Sequence, residues 1–362
     1  MKVLHLLAAG GTGGIETLCK DYGLFSQLEN IFFFVWYGGA TTDEMKQANL
    51  NVIELNSSKK DLVGVWKSIE AVCRNEKIDV VVEHHTSPIL HLYIMLLKKK
   101  FPHIKTVAYA HCNAEDMQGG SGDEGVFFKK RIIKNSFQKV DCVIAISNFV
   151  KESLIKQFHI SSDKIVLIYN GVDFSKMATV LHLKHSPAEI VYVGRLIEQK
   201  GVQVILQALY QLSSELNWHF SIIGDGEYRS ILENKVEGLG LEKKVSICGN
   251  CRNVPELLAQ ADIFVHAPLL EEGFGITIIE AMAAGLVCIG AKSGAIPEII
   301  EHKVNGYLFK KGSEEELMKI LSSCIEQYDS VENKKIRLKA IETAQCFSIK
   351  SFVEQLDKIL CK

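Results

Sequence analysis

Two carboxylates, Glu272 and Glu280, stand eight positions apart in Leu269–Glu280, which reads Leu-Leu-Glu-Glu-Gly-Phe-Gly-Ile-Thr-Ile-Ile-Glu. The glycine-spaced turn between them runs into an apolar segment, Ile276–Ala284. Such a turn presents backbone N–H groups at a helix start, where a phosphate or a sugar hydroxyl can be held. The plainer alternative is an acidic surface loop ahead of a buried helix. Earlier in the chain, Gly194-Arg195-Leu-Ile-Glu-Gln-Lys200-Gly201 follows an apolar run. Two cations at a glycine-bounded turn before a helix suit a diphosphate, since charge-assisted bonds and the helix dipole both neutralise its oxygens. Otherwise Arg195 and Lys200 are surface charges. His111 follows the apolar run Thr106–Ala110, a place suited to hydrogen bonding or proton transfer near neutral pH. His84 and His85 also end a strand-like run, but neighbours on a strand cannot both face one way, which favours a structural role.

Positioning these residues takes two α/β halves. Lys2–Ala9 reads as a strand, Gly10-Gly-Thr-Gly-Gly14 as a loop, and Ile15–Ser26 as a helix. That is the opening of a doubly wound domain. Further strands are expected at Ile31–Tyr37, Asn51–Leu55, Asp79–Glu83, Thr106–Ala110, Asp141–Ile146 and Lys164–Ile168. Residues 174–187 are polar and aperiodic, as a linker would be. The pattern then restarts, with strands at Glu189–Val193, Trp218–Ile223, Val245–Cys248, Ala261–His266, Val287–Gly290 and Gly306–Phe309. Both glycine loops fail the dinucleotide fingerprint, because Glu16 and Arg229 occupy the third glycine's place. GxxxxGK[ST] is absent too.

Two segments invite surface roles. Asn113–Gly125 is polar around Gly119-Gly-Ser-Gly122 and reads as a mobile loop of the kind that closes over a site. Phe127–Val140 groups Phe127, Phe128, Ile132, Ile133 and Phe137 on one side, with Lys129, Lys130, Arg131, Lys134 and Lys139 among them. A basic amphipathic helix can lie on an anionic membrane, or simply dock with a solvated face.

The 362 residues exceed one small core and fit two domains. A net charge of -2 argues against general nucleic-acid binding. No signal peptide is read, and no apolar run has spanning length. The ten cysteines are scattered, mostly within apolar runs, as in a reduced cytosolic protein. Cys248-Gly-Asn-Cys251 alone leaves a zinc site incomplete, so no metal is expected.

In order along the chain stand Gly13-Gly14, His111 after Ala-Tyr-Ala, Ala145-Ile-Ser-Asn148, Asn170-Gly-Val-Asp173, Val193-Gly-Arg195 with Lys200-Gly201, and Ile223-Gly-Asp-Gly226. Glu272-Gly-Phe-Gly-Ile-Thr-Ile-Ile-Glu280 with Ala281-Met-Ala-Ala-Gly285 closes the set. With these motifs the chain resembles, nearly end to end, the retaining glycosyltransferases of the GT4 family. The resemblance implies the α/β GT-B fold, two Rossmann-like doubly wound domains facing each other across a cleft. It implies an acceptor-side domain at 1–172, a linker at 173–187, a nucleotide-sugar domain at 188–345, and a helix at 346–362 crossing back to the first domain.

The same resemblance implies a metal-independent retaining hexosyltransferase without cofactor, using a nucleotide sugar, UDP-linked, as co-substrate. Arg195 and Lys200 would bind the diphosphate and stabilise the leaving group. Glu280 would hold the ribose and Glu272 the sugar. Backbone from Phe274 through Gly275 and Ile276 to Thr277 would meet sugar and phosphate oxygens. Gly224 would lie in the donor site, Arg252 would flank the base, and Gly13 and Gly14 would approach the phosphates. His111 would bind the donor sugar and orient the acceptor, a glycan or a lipid-linked glycan. Bacterial surface polysaccharide synthesis, in the cytoplasm or peripherally at the inner membrane face through 127–140, is the implied setting. A UDP-sugar epimerase of the same fold and a catalytically silent sugar-nucleotide-binding partner stay open as alternatives.

Overall fold

The computed structural model describes residues 1–11, 13–84, 87–118, 126–179, 181, 184–251 and 253–362. The chain divides into two compact units, one made of Met1–Gly171 with Ile349–Lys362, the other of Val172–Ser348.

Among its described residues the first unit carries seven strands: β1 (Lys2–Ala9), β2 (Glu29–Tyr37), β3 (Asn51–Glu54), β4 (Val80–Glu83), β5 (Lys105–Ala110), β6 (Cys142–Ala145) and β7 (Ile165–Leu167). They lie in the order β3-β2-β1-β4-β5-β6-β7, and every pairing is parallel. Parallel strands need crossovers, and helices fill them. The central strands are buried on both faces, so β1 and β2 read as near-continuous apolar runs rather than alternating ones, with His5 the one polar residue in the buried stretch of β1. The helix Ile349–Leu360 belongs to this unit. Its Asp357 accepts hydrogen bonds from Tyr22 Oη at 2.5 Å and Ser26 Oγ at 2.9 Å. The Lys105 ammonium donates to the Ile359 carbonyl at 2.5 Å.

The second unit carries β8 (Ala188–Val193), β9 (Trp218–Ile223), β10 (Val245–Gly249), β11 (Ile263–His266), β12 (Val287–Ala291) and β13 (Tyr307–Phe309). Their order is β10-β9-β8-β11-β12-β13, again parallel throughout. Its core gathers Ile190, Phe220, Ile263 and Ile289 from the strands with Ile205, Leu209, Leu317 and Leu321 from the helices. The aperiodic segment before β8 is tied down on this unit. Thr179 Oγ1 donates to the Ala283 carbonyl at 2.9 Å, and Lys184 Nζ to the Ile325 carbonyl at 2.7 Å.

The structure differs from the pattern reading in two segments given surface roles. Residues 114–118 are not loop but a short helix, Ala114–Gln118. Asn113 Oδ1 accepts from the N–H groups of Glu115 and Asp116 at 2.8 and 3.0 Å, and Ala114 and Met117 are buried. Such a cap stabilises a first turn that composition alone does not suggest. The glycine run 119–122 lies outside the described residues. In the basic helix Val126–Lys139, Ile133 and Phe137 are buried while Phe128 is 68% exposed. Five residues span about 1.4 helical turns, which points Phe128 away from Ile133. Among the described residues, no helix is long and apolar enough to cross a membrane.

Candidate active-site residues in each unit

In a doubly wound sheet, ligands collect at the carboxyl ends of the strands where the strand order reverses. In the second unit that point lies between β8 and β11. The turn after β8 carries Arg195 and Lys200. The turn after β11 carries Glu272.

Lys200 and Glu272 meet across that point. The Lys200 ammonium donates to Glu272 Oε2 at 2.7 Å, and His266 Nε2 lies 3.2 Å from the same oxygen. Burial alone would raise the Glu272 carboxyl's pKa. The His266 hydrogen bond and the Lys200 charge outweigh it and hold the carboxyl well below the usual carboxylate range. Glu272 is therefore an anion that keeps a lysine ammonium at the crevice. Arg195 is exposed at the end of β8. Its carbonyl accepts from Tyr192 Oη at 3.2 Å and from the Ile197 N–H at 3.1 Å, which fixes the turn.

The neighbouring carboxylate, Glu271, braces the loop. It pairs with Lys311 and accepts from the Gly294 N–H at 2.5 Å. The Ala295 N–H donates to the Glu272 carbonyl at 2.8 Å, and the Leu269 N–H to the Gln199 carbonyl at 2.8 Å. The last of these joins the loop carrying Glu272 to the turn carrying Lys200.

The helix Ile276–Ala284 starts at Gly275, whose φ of 105° is a conformation that L side chains rarely adopt. Its first turn has no side-chain cap. Ile276, Thr277 and Glu280 are its half-buried residues, and the spacing puts all three on one face. Phe274 is 3% exposed and meets Phe347 edge-on, with ring centroids 5.7 Å apart. A ligand would therefore meet its backbone rather than its ring. At the far end the buried Arg337 donates from Nε to the Gly285 carbonyl at 2.7 Å, a cation at the negative pole of the helix. Gly224 has φ 137°, and its N–H donates to the Gly249 carbonyl at 2.8 Å. Arg252 lies outside the described residues.

In the first unit the order reverses between β1 and β4. Gly13, in extended backbone, is the N-cap of the helix Gly14–Phe25 that follows β1. The start of the glycine loop is pinned where Thr41 Oγ1 donates to the Gly11 carbonyl at 2.9 Å. His111 follows β5 and stacks on Tyr109, with centroids 4.3 Å apart and planes within 5°. His84 Nδ1 lies 3.2 Å from His111 Nε2. His85 is outside the described residues. Among the described residues no cluster has the makeup of a metal site.

Pattern reading passed over His266, Glu271 and His5. The only trace of His266 in the sequence is a histidine closing an apolar strand six residues ahead of Glu272.

Comparison with known proteins places both halves. The family model described as Glycosyltransferase Family 4 matches residues 37–176, and the one described as Glycosyl transferases group 1 matches 173–345. The chain is 31% identical over 255 residues to N-acetyl-alpha-D-glucosaminyl L-malate synthase of Bacillus anthracis, covering 67% of this chain and 64% of that one. It is 33% identical over 178 residues to an uncharacterized glycosyltransferase of Methanocaldococcus jannaschii, covering 45% of each. The chain thus spans less than two thirds of the length of these two relatives. Anabaena HepE, solved in complex with UDP, superposes with a TM-score of 0.84 at 23% identity, covering 100% of both chains. With matching models over both halves in order, the chain belongs to the family 4, group 1 glycosyltransferases and has their GT-B fold.

Proposed function

We propose that this protein is a metal-independent retaining glycosyltransferase. In this reading it moves a hexosyl group from a UDP-linked donor to a glycan or lipid-linked acceptor. The observation that carries the reading is the Lys200–Glu272–His266 cluster at the reversal point of the second sheet, with Arg195 on the same turn as Lys200. Two cations beside a helix start that has no side-chain cap suit a leaving diphosphate, whose charge grows as the glycosidic bond breaks. The UDP complex of Anabaena HepE supports uracil as the base.

Glu272 already holds a lysine and a histidine, so it is a poor nucleophile. In our reading it positions the donor sugar and Lys200, and the acceptor attacks on the face the diphosphate leaves, with the departing phosphate taking the proton. Glu280 holds the ribose, and the backbone from Phe274 to Thr277, with Gly224, lines the donor. Gly13 and Gly14 serve the phosphates, and His111 the sugar and the acceptor. A panel of UDP-hexoses and UDP-N-acetylhexosamines, assayed in excess EDTA, is expected to yield UDP release with retained anomeric configuration by NMR. Donor binding without turnover on any acceptor would leave a silent partner subunit. Epimerisation without acceptor would leave an epimerase. Loss of turnover in EDTA would sink metal independence.

Synthesis of a bacterial surface polysaccharide at the inner membrane face is the setting we favour. The exposed Phe128 among Lys129, Lys130 and Arg131 supports a peripheral membrane contact. An aromatic ring beside several cations is what an anionic interface binds. Flotation with anionic vesicles is expected, falling with added salt and in Phe128→Ala. Equal flotation with neutral vesicles, or none, would remove the membrane from the reading.

A further inference from the structure

We propose that Asn30, His5 and His84 are positioning residues for His111, a hydrogen-bonded row across the first sheet that sets which His111 nitrogen carries the proton. The row follows the strand order. Asn30 is on β2, His5 on β1, His84 directly after β4 and His111 directly after β5, four neighbouring strands. His5 is in register with Phe32 and Val82, and Val82 with Val107. Residues two apart on a strand share a face, so all four side chains emerge on the same one.

The contacts are continuous. Asn30 Oδ1 lies 3.0 Å from His5 Nε2, His5 Nδ1 2.8 Å from His84 Nε2, and His84 Nδ1 3.2 Å from His111 Nε2. His5 is 0% and His84 3% exposed, while His111 is half-buried. The rings also stack, His5 on Phe32 at 4.8 Å and His84 on Tyr109 at 5.3 Å, which holds their planes.

The direction of the row follows from its buried end. Asn30 Nδ2 donates to the Leu28 carbonyl at 3.1 Å, so the amide cannot flip without setting two oxygens face to face. Its oxygen therefore faces His5, and His5 Nε2 must bear the hydrogen. Burial pushes the His5 pKa down to about 4, so near neutral pH the ring carries one proton and Nδ1 accepts. That lone pair requires a hydrogen on His84 Nε2. A singly protonated His84 then accepts at Nδ1, from His111 Nε2–H. The Cys19 thiol, 3.6 Å from the same His84 nitrogen and kept protonated by burial, is a second and weaker donor that shares this lone pair. His111 is thus held as the Nε2–H tautomer, with Nδ1 as its accepting nitrogen. In the function proposed above, on which this last step rests, Nδ1 is the atom that receives a substrate hydroxyl.

Long-range proton–nitrogen NMR on 15N-histidine-labelled protein reads tautomers directly, with rings assigned through single His→Gln variants. Near neutral pH, His5, His84 and His111 are all expected as Nε2–H. Asn30→Leu, which removes the terminal acceptor with little change in burial, and His5→Phe should each convert His111 to a tautomer mixture. A wild-type His111 in the Nδ1–H form would overturn the proposal. So would His111 nitrogen shifts unchanged in both variants. In the same variants kcat should fall about tenfold, the worth of roughly one oriented hydrogen bond, with little change in the donor KM. A shifted tautomer with unchanged kcat would confirm the row and instead remove His111 from the transfer reaction.

Discussion

Lys200→Ala is expected to lower sugar transfer about 10²–10³-fold, the usual loss when one preorganised charge facing a developing anion is removed. The protein should remain folded. Lys200 is 22% exposed, so its loss costs less than the roughly 3–5 kcal/mol of a fully buried pair, about 2 kcal/mol. His266 still contacts the Glu272 carboxylate. Thermal unfolding should fall by about 6 °C, at roughly 2–4 °C per kcal/mol for a unit of this size. Lys200→Arg should recover part of the activity, since it returns the charge but not the compact ammonium. Steady-state kinetics with the best donor decides the matter. Near-normal turnover in Lys200→Ala would end the assignment of the diphosphate to this turn. The pair also has a defined pH behaviour. The Glu272 pKa is depressed in the folded chain, so its stabilisation is complete above the ordinary carboxylate pKa. It is lost only as pH falls further, through the depressed value. Acid inactivation that began near neutral pH would have another source.

Gly224→Ala is expected to have the larger effect on stability. At φ 137° an added Cβ would stand 1.9 Å from the Gly194 carbonyl oxygen, which is backbone and cannot swing aside. Either the end of β9 or the turn after β8 must move. A strained conformation plus a backbone displacement costs about 3–5 kcal/mol. The second unit should then melt roughly 10 °C lower. Arg195, one residue beyond Gly194, should shift with it, so transfer is lost even below the melting range. Calorimetry and a single-temperature assay test both halves of the prediction. A variant that melts like the parent would show that β8 and β9 do not end as described.

The strands were legible because parallel, doubly covered strands are continuous apolar runs. Phe32-Phe33-Phe34-Val35 can hardly be anything else. The turns that carry the candidate charged residues were legible because each is local: Arg195 and Lys200 share the turn after one strand, and Glu272 stands just before the helix that contains Glu280. What pattern could not reach was pairing between turns. Lys200 and Glu272 are 72 residues apart, and only the strand order β8-β11 makes them neighbours. His266 looked like the last residue of a strand because it is one; its role arises from the loop that folds back over it. The histidine row is drawn from separate strands, so no window of sequence contains it. The helix Pro88–Lys100 was missed for the opposite reason. Its Leu90, Tyr93, Ile94 and Leu97 are buried, but apolar residues between them blur the helical period. The helix Ala114–Gln118 was missed because a cap, not a period, specifies it.

The assignment of Ile349–Leu360 to the first unit inverts the order in which the chain is made and finished. Residues 172–348, the whole of the second unit, leave the ribosome before the piece that completes the first. Until then Tyr22 and Ser26 lack the carboxylate of Asp357 that they bind in the native chain, and the surface that covers Phe352 and Leu356 stays open. Released chains that end at residue 348 should therefore hold a second unit able to close and a first unit still waiting, the reverse of the usual N-terminal-first order.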